Sequence, residues 1–346
     1  MKKKLLLTIM LSFLAGCSIL HAQTDDAQTI TKTGTAVGQF LKIGADARGT
    51  AMGGAFAAME GDLSAIHWNP AGLGHHRGLE AMFVHGQWLA DMNFNFAAVA
   101  MNIGQVGKLG LSVTNLSTPE DLVRTVEQPE GTGERFNAND LALGLTFARR
   151  LTDRFSIGGT VKFIRQGIWH MNASAVALDI GALFTTPFRN VRLGASIVNF
   201  GSDMRLDGRD IRFSQDPDPQ REGNVELVNA LYETDKYSLP LAFRVGLATE
   251  LIKNENLRLT AGLDALHPND NTESLNLGAE LAFSELLFLR GGYGTLFRKN
   301  TEEGGTLGGG LHYRLWGSNT MLKIDYAYAD FGLLENVQRF SLAVEF

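Results

Sequence analysis

Long hydrophobic runs are what this chain of 346 residues lacks. After the N-terminal leader, no stretch approaches the roughly 20 consecutive apolar residues that a spanning helix needs, so membrane helices are excluded. Cysteine is nearly absent: Cys17 is the single one and lies in the leader, which leaves no disulfide in the mature chain. Proline is scarce at 8 residues and glycine abundant at 39, a balance that argues against disorder and suits strands crossing at close quarters. A basic surface is missing as well. The net charge of −6 speaks against a nucleic-acid partner. No spacing of His, Cys, Asp and Glu reads as a catalytic or metal-binding constellation, so neither an enzyme nor a cofactor is expected.

The leader itself is informative. Lys2, Lys3 and Lys4 precede an apolar core from Leu5 to Ala15 that is too short to span a bilayer, which is the pattern of an export signal. Two cleavage points compete. Leu14-Ala15-Gly16-Cys17 resembles a lipobox that would leave a lipidated Cys17, whereas Leu20-His21-Ala22 suits ordinary signal peptidase, and cleavage after Ala22 is preferred.

From residue 80 to the end, apolar and polar residues alternate. Phe340, Leu342, Val344 and Phe346 share one face of the last segment, with Ser341, Ala343 and Glu345 on the other. Similar runs place Leu257, Leu259, Leu263 opposite Arg258, Thr260, Asp264, and Leu322, Ile324, Tyr326 opposite Lys323 and Asp325. About fourteen such segments are found, each long enough for a tilted strand to cross the hydrocarbon. The connections alternate between short turns, such as 104–107 and 284–285, and longer loops, such as 117–139, 166–172 and 201–238. Short turns at one end and long loops at the other are the pattern of a bacterial outer-membrane barrel with its turns in the periplasm. The expected fold is therefore all-β, a transmembrane antiparallel β-barrel of about 14 strands with a small N-terminal plug. An even strand count places both termini on the periplasmic side. A soluble β-sandwich is the competing explanation of the alternation, but it leaves the leader and the loop asymmetry unexplained.

The expected organisation is a signal peptide over 1–22, a plug segment over 23–79 and the barrel over 80–346. The plug segment is rich in Gly and Ala between 44 and 58, which permits tight backbone packing, and its Phe40, Leu41, Ile43, Met52, Phe56, Ile66 and Trp68 favour burial. Within it, Asn69-Pro70-Ala71-Gly72 is a turn-forming motif that shapes the plug and its contact with the wall. Polar residues predicted to face the lumen include Lys162, Arg192, Arg244, Glu250, Arg258, Asp264, Glu280, Lys323 and Asp325. Charges of both signs there would brace the barrel rather than line an open pore for one ion. His75-His76 reads as a solvated turn, and the Gly-Thr-Gly of 131–133 lacks the context of a phosphate loop.

Three blocks carry a family resemblance: Phe40-Leu41-Lys42-Ile43-Gly44-Ala45-Asp46-Ala47-Arg48, Ala51-Met52-Gly53-Gly54-Ala55 and Ile66-His67-Trp68-Asn69-Pro70-Ala71-Gly72-Leu73. In order and spacing they resemble the PorV/PorQ family of Bacteroidota outer-membrane proteins and, more distantly, FadL-type transporters. The resemblance implies a fourteen-stranded barrel with an N-terminal plug. It also implies a role in type IX secretion, holding or shuttling cargo proteins at the cell surface, with secretion-system subunits and cargo C-terminal domains as partners besides outer-membrane lipid. Loops on a rigid scaffold are where binding usually sits, so Trp88, Glu120, Asp121, Trp169, Asp207 and Asp210 are the candidate partner-binding residues. The alternative is a FadL-like transporter of hydrophobic small molecules, which predicts an apolar lumen pocket and a lateral opening at a kinked strand. A purely structural barrel is a third reading.

Overall fold

The computed structural model describes residues 32–346 apart from 77, 219, 221–226, 299 and 300. The leader and Cys17 lie outside the described residues. Period-two alternation forms strands here because each strand separates two solvents: lipid outside, protein inside. The barrel comprises β1 (Glu80–Gln87), β2 (Asn93–Asn102), β3 (Lys108–Ser117), β4 (Ala138–Thr152), β5 (Phe155–Ile168), β6 (Met171–Thr185) and β7 (Arg192–Gly201). It continues through β8 (Ala242–Lys253), β9 (Leu257–Pro268), β10 (Ser274–Phe283), β11 (Leu287–Leu296), β12 (Gly305–Arg314), β13 (Met321–Asp330) and β14 (Asn336–Glu345).

Each strand pairs antiparallel with its sequence neighbours, and β1 pairs with β14 in the register Glu80↔Glu345 to Gln87↔Gln338. The result is a closed 14-strand antiparallel barrel. Closure follows from the medium, since an open edge in hydrocarbon would leave backbone N–H and C=O groups without partners. The outward face is apolar on every side: Phe83, Val161, Ile180, Val245, Leu289 and Leu342 are all exposed. A continuous band of this kind is not tolerated in water and defines an integral outer-membrane protein. Phe340 and Leu342 point outward while Arg339, Ser341 and Ala343 are buried, as the alternation of the last strand predicts.

One expected loop is not a loop. β5 and β6 run on to Ile168 and Met171, leaving only Trp169 and His170 as the connection, with Trp169 at φ 51°. The longer loops instead carry small hairpins, Asp121–Leu122 against Arg135–Phe136 and Arg212–Gln215 against Val228–Leu231.

Residues 33–79 thread the lumen. They form a 3-10 turn (Gln39–Lys42), the short helices α1 (Ala47–Ala51) and α2 (Ala65–Trp68), and a second 3-10 turn (Pro70–His75). The thread starts at the long-loop end, where Val37 donates to the carbonyl of Ser238 and Lys42 pairs with Asp270 at 3.0 Å. It finishes at the short-turn end, where Gly78 abuts the Phe346 carbonyl. The even strand count thus places the start of β1 and the end of β14 together at the short-turn end, but the first described residues lie at the opposite one.

Two devices hold the thread in place. Inward-facing wall glycines let its backbone lie directly on the strands: a Cβ at Gly194 would stand 2.0 Å from the Ala57 carbonyl oxygen, and one at Gly278 2.4 Å from that of Met52. Charged wall residues then grip it. Asp264 accepts the backbone N–H groups of Phe56 and Ala57 at 2.9 and 2.7 Å. Arg48 donates two bonds to Glu280, Nε at 2.7 Å and Nη2 at 2.9 Å, and a third to Asp62 at 2.8 Å. Glu280 also receives Arg290 and Arg258, and Arg290 passes on to Asp325. Such bidentate, buried pairs combine strength with a fixed geometry. Removing one partner of a buried pair costs about 3–5 kcal/mol. Arg48→Met is expected near about 3 kcal/mol, because Arg258 and Arg290 still neutralise Glu280. A lowered urea midpoint of the refolded barrel in vesicles checks this.

Candidate functional site

The thread does not fill the barrel evenly. Above it, towards the long loops, remains a cavity of about 150 Å³. Its walls come from three sources: Ile43, Gly53, Gly54 and Trp68 of the thread; Ala242, Arg244, Leu266, Val337 and Arg339 of the strands; and Trp88 and Phe331 of the loops. Most of this lining is apolar or aromatic, the composition of a site for a hydrophobic molecule.

Local folding explains why each wall is where it is. Trp68 ends α2 and is fixed by its indole N–H, which donates to Asp46 Oδ1 at 2.7 Å. Asp46 is itself the N-cap of α1, accepting from the Gly49 N–H at 2.7 Å. Burial, reinforced by the charge of Asp62, raises the Asp46 carboxyl above its ordinary pKa, and these two donors hold it in place. Trp88 packs edge-on against Phe331 at 5.3 Å between ring centroids. Arg339, 1% exposed, lies over Trp88 and over Phe94 and donates to the Thr50 hydroxyl. Arg244, 5% exposed, lies over Trp68 with its guanidinium carbon 5.0 Å from the ring centroid. Behind Arg244 is a smaller cavity of about 30 Å³ of mixed lining, in which His67, Thr160, Lys162 and Asp179 face Leu41, Ile66 and Phe96. Burial, and then the positive charge of Arg244, push the His67 imidazole well below its ordinary pKa, so it stands there neutral.

The wall is irregular beside both cavities. Register shifts between Leu178 and Ile180 where β6 meets β7, with Asn199 at φ 63° and its N–H on Asp179 Oδ1 at 2.7 Å. It shifts again between Leu275 and Leu277 where β10 meets β11, with Thr295 at φ 51° and its N–H on Asn276 Oδ1 at 2.9 Å. Outside the second bulge, the lipid-facing surface carries a groove of about 320 Å³ lined by Phe243, Val245, Ala265, Leu266, Leu275 and Phe297. Leu266 is the residue common to the inner cavity and the outer groove.

The sequence-derived candidates distribute unevenly around this site. Asn69-Pro70-Ala71-Gly72 lies against the wall strands β5 and β6, where Ser156 donates to the Ala71 carbonyl. The Asn69 amide donates to the carbonyls of Ala57 and Ala182, its oxygen accepts from Ala71 N–H, and a Cβ at Gly72 would meet the Met59 carbonyl oxygen at 2.7 Å. Trp88, expected on the outer face, turns inward instead, because Phe331 and Arg339 offer its ring a partly buried slot. Trp169, Asp207 and Asp210 gather over the outer end of β6: His170 stacks on Trp169 at 4.2 Å and lies 3.2 Å from Asp210, while Asp207 pairs with Asn172. Glu120 and Asp121 belong to the neighbouring loop and form exposed ion pairs with Arg135 and Arg124. Of the lumen charges, Glu250 differs from expectation: it stands at the turn end and pairs with Lys253 at 2.8 Å. The sequence reading missed Arg339, Leu266 and Phe331 as site residues. Of these, Arg339 carried a signal, being the lone cation on the inward face of the last strand.

The closed 14-strand antiparallel barrel matches FadL-like outer-membrane barrels in fold. The fold is similar to a Pseudomonas aeruginosa FadL homologue, with 12% identity and a TM-score of 0.50 over 87% of this chain and 98% of that one. It is likewise similar to the Pseudomonas putida toluene transporter TodX, at 12% identity and a TM-score of 0.52 over 87% of this chain and 97% of TodX. The Ralstonia pickettii toluene transporter TbuX shows 13% identity and a TM-score of 0.51 over 87% and 97% of the two chains. No protein-family model and no curated relative matches the chain.

The two inward tryptophans give the site a spectroscopic signature. A variant retaining Trp88 as its sole tryptophan is expected to emit at shorter wavelength, and to resist iodide quenching better, than one retaining only Trp316, which is 98% exposed. Steady-state fluorescence with iodide titration measures both.

Proposed function

We propose that this protein takes up small hydrophobic molecules at the outer surface and releases them sideways through its wall. The observation that carries the reading is the position of Leu266, which lines the apolar cavity on one side and the lipid-facing groove on the other. The axial route is occupied by the thread and its charge network, while the bulge at Leu275 and Leu277 loosens the wall beside Leu266. A lateral exit would part the paired strands around Leu266, against a buried ionic network along the axis. The likeness to FadL-type and toluene-transporting barrels agrees with this reading.

A second reading, a scaffold that holds cargo proteins with secretion-system subunits, draws on the three-block resemblance of the thread. The outer hairpins at 121–136 and 212–231, with Trp169 and Asp210 between them, would supply its contact surface. The structural likenesses lend it no support. A mild-detergent pull-down that recovers stoichiometric secretion subunits, with no copurified hydrophobic compound, would favour it.

Leu266→Trp, which fills the junction of cavity and groove, is expected to slow toluene accumulation in cells expressing the protein by about tenfold, and Leu266→Ala to preserve it. Radiolabelled toluene uptake measures this, and unchanged uptake in Leu266→Trp contradicts the lateral route.

A further inference from the structure

The cavity that the proposed function uses is apolar in its walls but not neutral. Arg244 and Arg339 are both more than nine-tenths buried, and both line it. Among the described residues, Arg244 Nε and Nη1 and Arg339 Nε have no hydrogen-bond partner. A buried guanidinium without a counter-charge is costly, and Arg244 and Arg339, with Lys42 and Arg298 also on the lining, make the apolar cavity a positive one that an anion would neutralise. Their rings are equally specific. Arg244 stacks over Trp68 and Arg339 over Trp88, which fixes both forks.

We propose that the ligand is a compact aromatic carboxylate: a ring of benzene size bearing one anionic group. The inference rests on the preceding reading of the cavity and goes beyond it by naming the chemistry of the ligand. Size sets the ring, since an apolar cavity of about 150 Å³ holds a benzene-sized molecule and is small for a long acyl chain. Charge sets the head group. A carboxylate accepts paired bonds from a guanidinium edge, and Arg244 lines the cavity with no ion pair to a carboxylate among the described residues. The flat faces of Trp68 and Trp88 suit an aromatic ring better than an alkyl chain. Two carboxylates, Glu303 and Asp330, also border the cavity, but they stand at its exposed rim, where solvent screens their repulsion. The buried floor remains positive.

Calorimetric titration of the full-length barrel in detergent with benzoate, toluene and decanoate tests the assignment without any variant. Benzoate is expected to bind about tenfold tighter than toluene, the worth of one hydrogen bond to a charged group, and tighter than decanoate, whose chain exceeds the cavity. Arg244→Gln is expected to weaken benzoate by about tenfold more than it weakens toluene, with Arg244→Lys recovering part of that difference. Toluene binding as tightly as benzoate, decanoate binding more tightly, or benzoate indifferent to Arg244→Gln each overturns the proposal while leaving a hydrophobic-molecule barrel intact. Failure of all three ligands to bind removes both.

Discussion

The structure depends on one contact: the backbone of the N-terminal thread lying against the inner wall of the barrel. Glycines at Gly194, Gly278 and Gly292 make that approach possible, because a Cβ at any of them would fall within 2.4 Å of thread backbone. With the thread so close, the carboxylates of Asp264 and Glu280 reach its N–H groups and its Arg48. Everything above the thread is shaped by what it leaves unfilled. The apolar cavity is the remainder of a lumen whose other parts are packed by backbone and ion pairs.

The charges inside the barrel therefore do something other than brace strand to strand. Lys162 with Asp179, and Arg290 with Asp325, do pair across the wall. Glu280, by contrast, joins three guanidiniums, one of them from the thread, and Lys323 joins Glu80 to Glu345 across the seam where the barrel closes. Arg244 and Arg339 stand apart from these networks. Both line the apolar cavity and, among the described residues, neither pairs with a carboxylate there, which is why ligand chemistry is read from them rather than from the more numerous paired charges.

Much of the barrel was legible from alternation alone, because lipid and protein impose opposite demands on successive residues. The inward set from Arg244 to Asp325 and the outward set from Phe340 to Leu342 follow from it directly. The loop at 166–172 was misjudged because Ile168 to Met171 extend the strands beyond the bilayer, where alternation no longer distinguishes strand from loop. Trp88 was read as surface because a loop tryptophan is ambiguous until its neighbours are known, and Phe331 and Arg339 are remote in sequence. Leu266 and the bulge beside it were invisible for a different reason. A register shift depends on the pairing of two strands, not on the composition of either.

The account holds that the axial path is shut and that exchange is lateral. The electrical conductance of the purified full-length barrel in a planar lipid bilayer tests this most directly. A silent membrane, with at most rare brief openings, is the predicted result; a steady ohmic current would mean that the thread does not close the lumen, and would contradict the account.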